Sequence, residues 1–423
     1  MKKFLWKGII RDKGRSLFPV IVVAIGVFAV IFMDGLVDGM MQNMIHKTAN
    51  FQTGHLKVMT RAYNENEEQK PIDLALLEVD SLVKELQAEF PGISWNPRVS
   101  FGGLLDIPDD KGETRAQGPV SAVAYDLLSP ESGEAGRIGL EKAIAAGRSI
   151  RRSNDVLVSN DFAERFDVNP GDTLTFFGST MYGSMSFTNL HVAGIVHFGI
   201  AALDRGSIIV DIADARRLLD MDNAASEILG FLPDGAYNRT QAEEIKASFN
   251  KQYADVTDPY APVMLQLTDQ QSMSETIAYT DAVKTIMVVL LVVALSIVLW
   301  NAGVLGGVRR YNEFGIRLAL GEGKGHIYRS LLTESVFIGI IGSCVGTALG
   351  IGFSLYLHKY GIDYGRAVDN LSLMIDSVIR SEISPRMYYI GFIPGVISMF
   401  VGSALAGIAI YKRNTATLFK ELE

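Results

Sequence analysis

The sequence predicts an integral membrane α-helical protein with four transmembrane helices and a large mixed α/β extracytoplasmic domain. Three observations predict it. Four long stretches carry no Asp, Glu, Lys or Arg; residues 38–281, between the first and second of them, are strongly acidic; and basic residues collect at the opposite helix ends.

The charge-free stretches are 16–33, 285–308, 335–358 and 387–411, of 18, 24, 24 and 25 residues. At 1.5 Å rise per residue, about 20 residues cross a hydrocarbon core of roughly 30 Å. A buried core helix of this length normally interrupts its run with a charge. The first stretch follows the basic start "MKKFLWKGIIRDKGR", as a signal peptide would, but its apolar run is long and no A-x-A-type site follows. It reads as an uncleaved anchor.

Charge orients the spans. Residues 1–15 hold six Lys/Arg and one Asp, and 309–334 hold five Lys/Arg and three Glu; 38–281 hold 20 basic and 36 acidic residues, a net of −16. Both termini are therefore expected in the cytoplasm, and 38–281 outside. The resulting division is 1–15 cytoplasmic, 16–37 first span, 38–281 outer domain with helical stalks, and 282–308 second span. A cytoplasmic segment 309–334, a third span 335–358, a short outer segment 359–386, a fourth span 387–411 and a cytoplasmic tail 412–423 complete it. The overall charge of −8 sums two opposite regions, so it points to no nucleic-acid partner.

Within the outer region, "GHLKVM" (54–59) reads as a strand and Arg61–Glu68 as a polar loop. Residues 74–90 place Leu76, Val79, Leu82, Val83, Leu86 and Phe90 on one helix face. Farther on, "VSAVAYD", "DVLVSN", "LHVAGIVHFG" and "GSIIVDI" read as strands, as does the stretch after the Pro-Gly-Asp turn of "NPGDTLTFFG". "DFAERFDV", "ADARRLLDM" and "TQAEEIKASFNKQY" read as helices, and 266–284 as a second stalk leading into span two. With Cys344 its single cysteine, in span three, the chain builds this outer domain without disulfides or thiol-bound zinc.

The spans carry small residues four apart: Gly342, Gly346 and Gly350, then Gly391 and Gly395. Such spacing allows close helix contact, either within one chain or across a dimer seam. Pro19 and Pro394 are tolerable kink sites. Beyond span one, Met33, Val37, Met40, Met41 and Met44 continue a helical apolar stripe, with Asp34, Asp38 and Asn43 between them. Flexible methionines suit acyl chains; they equally suit packing between stalks. Asp34 reads as an interfacial charge at the span edge.

"GIRLALGEGKGHIYRSLLTES" (315–335) poses the sharpest question. A phosphate loop requires G-x-x-x-x-G-K-[ST] after a strand. Here Gly325 follows Lys324, Leu318 stands where the first glycine belongs, and no strand precedes. The alternative is a short amphipathic helix with Phe314, Ile316, Leu318, Leu320 and Ile327 on the apolar side, broken at Gly321, with the next helix restarting into span three. It serves either as a docking element or as an interfacial helix on anionic lipid. The six histidines lack metal-ligand spacing, and no G-x-S-x-G occurs. No catalytic, cofactor-binding or metal residue is assigned.

This layout resembles the FtsX-like/MacB-type ABC transporter permeases, and "RRYNEFGIRLALGEGKGHIYRSLLTES" resembles their R-x-x-E-x-G-I-x-x-A-L-G segment. Arg310, Glu313, Gly315, Ile316, Ala319, Leu320 and Gly321 stand at the matching positions, with Arg317 between them. The resemblance implies that these residues form the coupling helix for an ABC ATPase dimer, which would bind ATP and Mg²⁺ in a partner chain. "QTGHLKVMTRAYNE" and "VLVSNDFAERFDVNPGDTLTF" are similar to the lipoprotein-releasing branch. That branch implies a non-catalytic subunit of the bacterial inner membrane, working with a second permease copy, identical or related. Its outer domain would be periplasmic and its substrate a lipoprotein or lipid, with Met33, Met40, Met41 and Met44 beside the acyl chains. Signal relay to a periplasmic cell-wall hydrolase and macrolide- or peptide-type efflux are the other roles found in such families.

Overall fold

The computed structural model describes residues 13–411, apart from 110, 130, 131, 199, 255, 271, 310 and 364–377. The chain divides into two compact units, one α/β (43–276) and one helical, drawn from residues up to 42, 277–363 and from 378 onward.

The first helix, α1 (Lys13–Thr48), ends in a π-helical turn at Ala49–Thr53. Ten strands follow in the α/β unit: β1 (Leu56–Thr60), β2 (Ser94–Pro108), β3 (Thr114–Tyr125), β4 (Ile144–Gly147), β5 (Asp155–Ser159), β6 (Thr173–Ser179), β7 (Met185–Val196), β8 (Ser207–Asp211), β9 (Glu227–Phe231) and β10 (Pro262–Gln266). Their order is β10-β1-β9-β2-β3-β8-β5-β7-β4, and β6 pairs with both β2 and β7. The strands β2, β3, β8, β5, β7 and β6 thus pair in a closed ring, which removes the edges an open sheet would expose. The long strand β2 serves two neighbourhoods: residues 94–98 pair with β9, and 99–108 with β3.

Burial alternates along much of β3 and β6, whereas β1, β5 and β9 are buried throughout. Val99, Phe101 and Leu105 point into one core with Val156, Val158, Leu174 and Phe176. The Phe101 and Phe176 rings meet edge to face, 5.5 Å between centroids. Gly103 lies against the Phe176 ring, where a Cβ would collide.

Two buried charge groups lock the same unit. Lys57, 1 % exposed, reaches Glu67 at 2.7 Å and Glu227 at 2.9 Å. Burial alone would lower its ammonium, but the two carboxylates outweigh that and hold it above its ordinary value. Arg98 and Glu134 are both fully buried and meet at 2.8 Å, with Arg137 also on Glu134 and the Arg98 guanidinium 4.5 Å above the Tyr125 ring. These contacts join β1 to β9, and the start of β2 to the short helix Glu134–Arg137.

Two local readings change. Residues 61–65 form a helical turn rather than a loop, because the Thr60 hydroxyl accepts the Tyr63 N–H at 3.0 Å and caps it. The helix expected over 74–90 is α2 (Val79–Glu89), since Leu76 is held by Ala225 in a two-way backbone bridge. The helices α3 (Asn160–Phe166), α4 (Ile212–Leu218) and α5 (Arg239–Gln252) lie where their sequences predict.

The helical unit continues with α6 (Met273–Arg309), α7 (Tyr311–Ala319), α8 (Lys324–Tyr360), α9 (Met387–Ile390) and α10 (Phe392–Tyr411). Four of its segments are long and apolar enough to cross a membrane. The spaced glycines resolve to packing within the chain: Gly342 lies against Val23, Gly346 against Ala24 and Val27, and Gly350 against Ile31, all on α1. Gly391, between α9 and α10, and Gly395, in α10, face Val27. Pro394 falls in the first turn of α10, where no helical N–H is lost, so the fourth span breaks at Gly391 instead of kinking at proline.

Candidate functional site: the α7 segment and the α1–α6 cleft

The α7 helix is nine residues long, and its sequence explains both its charge and its end. Glu313 and Arg317, four apart, pair at 2.8 Å across one turn. The C-terminus closes with a Schellman pattern: the Gly321 N–H bonds the Leu318 carbonyl, and the Glu322 N–H the Arg317 carbonyl, each at 3.0 Å. This pattern needs a left-handed residue at its turn, and Gly321 supplies it at φ 89°. Two residues later Gly323 caps α8, so the glycines around Lys324 stop one helix and start the next. A phosphate cradle is therefore not what these glycines build.

What α7 presents is apolar. Ile316 is 63 % exposed and Leu320 82 %, and Ala319 is exposed between them, three and four residues on from Ile316. These positions share one helix face. Gly315 lies within the same helix. Arg310 and the side chain of Phe314 lie outside the described residues.

The methionine stripe separates. Met40 and Met41 are half-buried on α1, and Met44 is buried in the α/β unit. Met33 alone lines a cleft of about 90 Å³ between α1 and α6, with Asp34 and Val37 on one wall and Lys284, Met287 and Leu291 on the other.

Asp34, read from the sequence as an interfacial charge at the span edge, is buried within the chain. It is 7 % exposed, and its Oδ2 has no hydrogen-bond partner among the described residues. The burial follows from two glycines beside it. Gly35 and Gly39 let the 380–382 backbone lie on α1, where the Glu382 N–H bonds the Gly35 carbonyl at 3.0 Å and Arg380 covers Gly39. One turn along, Asp38 pairs with Lys284 of α6. Sequence reasoning missed this pair, although a signal existed: the two opposite charges flank the same ends of spans one and two. Among the described residues, no group of three or more His, Cys, Asp or Glu side chains is placed to hold a metal ion.

Four apolar helices, a short charged helix between the second and third, and an α/β unit between the first and second define a polytopic membrane permease with a large extramembrane domain. The sequence matches the MacB-like periplasmic core domain over residues 16–248 and the FtsX-like permease C-terminal domain over residues 285–415. The chain belongs to this family of FtsX-like, MacB-type ABC transporter permeases. A macrolide export ATP-binding/permease protein MacB of Psychrobacter arcticus is 19 % identical over 406 residues, 90 % of this chain and 55 % of that protein. An uncharacterised ABC transporter permease of Methanocaldococcus jannaschii is 26 % identical over 204 residues, 46 % of this chain and 47 % of that one. The chain spans about half the length of the curated relatives it matches. The periplasmic region of MacB from Actinobacillus actinomycetemcomitans aligns at 14 % identity and a TM-score of 0.34, covering 55 % of this chain and 95 % of that one.

Proposed function

We propose that this chain is a non-catalytic subunit that converts ATP hydrolysis by a separate ABC ATPase dimer into movement of its periplasmic domain, and thereby releases lipidated proteins from the inner membrane. The observation that carries the proposal is the apolar face of Ile316, Ala319 and Leu320, left uncovered by the described residues of the chain on a helix with a fixed stop at Gly321. An exposed apolar patch on a short, braced helix fits a groove on a partner better than it fits water. The ATPase would hold ATP and Mg²⁺, both termini would lie in the cytoplasm, and a second permease copy, identical or related, would complete the assembly. The lipoprotein substrate rests on the resemblance of 52–65 and 156–176 to the releasing branch and on the methionine that lines the helix cleft.

The naming of the MacB relatives as macrolide exporters favours efflux as the second reading. Mass spectrometry of the complex, gently purified from its native membrane, separates them. An ABC ATPase with acylated lipoproteins supports release; an ATPase with none, in a cell whose macrolide resistance falls on deletion, supports export; a co-purifying cell-wall hydrolase supports a relay.

A further inference from the structure

The cleft between α1 and α6 contains a charge that the coupling role does not use. Asp34 lines it, is more than nine-tenths buried, and keeps Oδ2 without a partner among the described residues. A buried carboxylate oxygen left unpaired is expensive, so such a group calls for a ligand. Ionisable groups at membrane depth are otherwise rare.

The surrounding charges set the sign of that ligand. The charged groups acting on Asp34 are Asp38, Asp281, Lys284 and Arg386. With Asp34 itself, three carboxylates face two cations, and Lys284 is already taken up by Asp38. Counted as formal charges, these leave one negative in excess, and Asp34 is the buried carboxylate of the set. The rest of the wall near it is apolar, with Met33 and Val37 on α1 and Met287 and Leu291 on α6.

We infer that this cleft binds the ammonium group of an amphiphile, with Asp34 as counter-ion and the flanking Met, Val and Leu side chains taking the first carbons of its chain. The inference stands apart from the ATPase proposal, because every residue of the site lies in this chain and binding needs no nucleotide. An ammonium on an apolar chain has two sources: the headgroup of phosphatidylethanolamine, or a free long-chain amine presented as cargo.

Native mass spectrometry of the full chain in dodecyl maltoside, titrated with dodecylamine or dodecanol, tests the site. The expected result is saturable binding of one dodecylamine per chain, with dodecanol about tenfold weaker or more, as expected of a charge-assisted hydrogen bond. Asp34→Asn should bring dodecylamine to the level of dodecanol. Leu291→Trp, which fills the cleft and keeps the carboxylate, should abolish both. Competition by phosphatidylethanolamine but not phosphatidylglycerol assigns the site to a lipid headgroup; no competition by either assigns it to a free amine. Equal binding of dodecylamine and dodecanol to the wild-type chain overturns the inference without recourse to any variant, and so does undiminished dodecylamine binding by a folded Asp34→Asn chain.

Discussion

Lys284 of α6 pairs with Asp38 of α1, joining two helices whose contact residues stand 246 positions apart in the sequence. The contact sits one turn beyond Asp34, at the end of the spans where sequence alone placed two acidic residues on α1 and one basic residue on α6. Its loss would leave carboxylates facing a helix that no longer answers them. Lys284→Ala should lower stability by about 2 kcal/mol, less than for a fully buried pair because Asp38 keeps some solvent. Asp38→Asn combined with Lys284→Gln should recover most of that loss. The thermal midpoint of the full chain in detergent measures both, and equal midpoints for wild type and Lys284→Ala would contradict the pairing.

Gly346 tests the packing of α8. A Cβ built there would stand 2.6 Å from the Ala24 carbonyl oxygen and 2.7 Å from the Val27 Cβ, both on α1. Gly346→Val should therefore cost about 3 kcal/mol or more by overpacking, seen as a lower midpoint and faster proteolysis of the helical unit. A dimer seam would behave otherwise: the variant would keep its fold and lose only association.

His55 makes the α/β unit sensitive to acid. Burial, then the charges of His46 and Arg137, push its imidazole down to about 4. Its Nδ1 accepts the Leu232 N–H at 3.0 Å, and its ring packs on Phe231 and Tyr237. The unfolded imidazole takes up a proton below about 6.5 whereas the folded one waits until about 4, so protons favour the unfolded chain in between. The stabilisation is complete above pH 6.5 and is lost as pH falls toward 4, by about 3 kcal/mol. Unfolding midpoints followed from pH 7 to 4 should decline more steeply for wild type than for His55→Gln. Parallel curves would remove His55 from the account.

The helical half was legible because its signals are local. An uninterrupted apolar run marks each span, and Gly321 marks a helix stop whatever surrounds it. The α/β half yielded the strands that carry their own short apolar run, such as β5 and β8. The strand β2 contains Pro97, Gly102 and Gly103, residue types that normally interrupt a strand. Each fits only in context: residue 97 belongs to the part of the strand that turns toward β9, and Gly103 leaves room for the Phe176 ring, contributed from more than 70 residues away. Asp34 was legible as a residue of interest but not as a buried one. Its burial depends on the 380–382 backbone lying over Gly35 and Gly39, a long-range contact with no signature near residue 34.

The apolar face of α7 gives the coupling proposal a direct mutational test. Ile316→Asp with Leu320→Asp would place charges on the apolar face of α7 without touching the Glu313–Arg317 pair or the Gly321 stop. Such a chain should fold and insert normally, yet lose at least tenfold in ATPase association, since two desolvated apolar anchors are worth about 1.5–3 kcal/mol each. Affinity co-purification from the native membrane reads this directly, and wild-type recovery of the ATPase would be incompatible with docking through this face.

The most direct measurement places a photo-crosslinking benzoylphenylalanine at position 320 of the full chain in its native membrane. On illumination, a single major adduct with an ABC ATPase is expected, dependent on the side chain at 320 and absent when the probe sits at Ile297, exposed within the apolar stretch of α6. Adducts with lipid alone, or with no ATPase, would show that α7 lies idle on the membrane surface and that the chain is not driven through this helix.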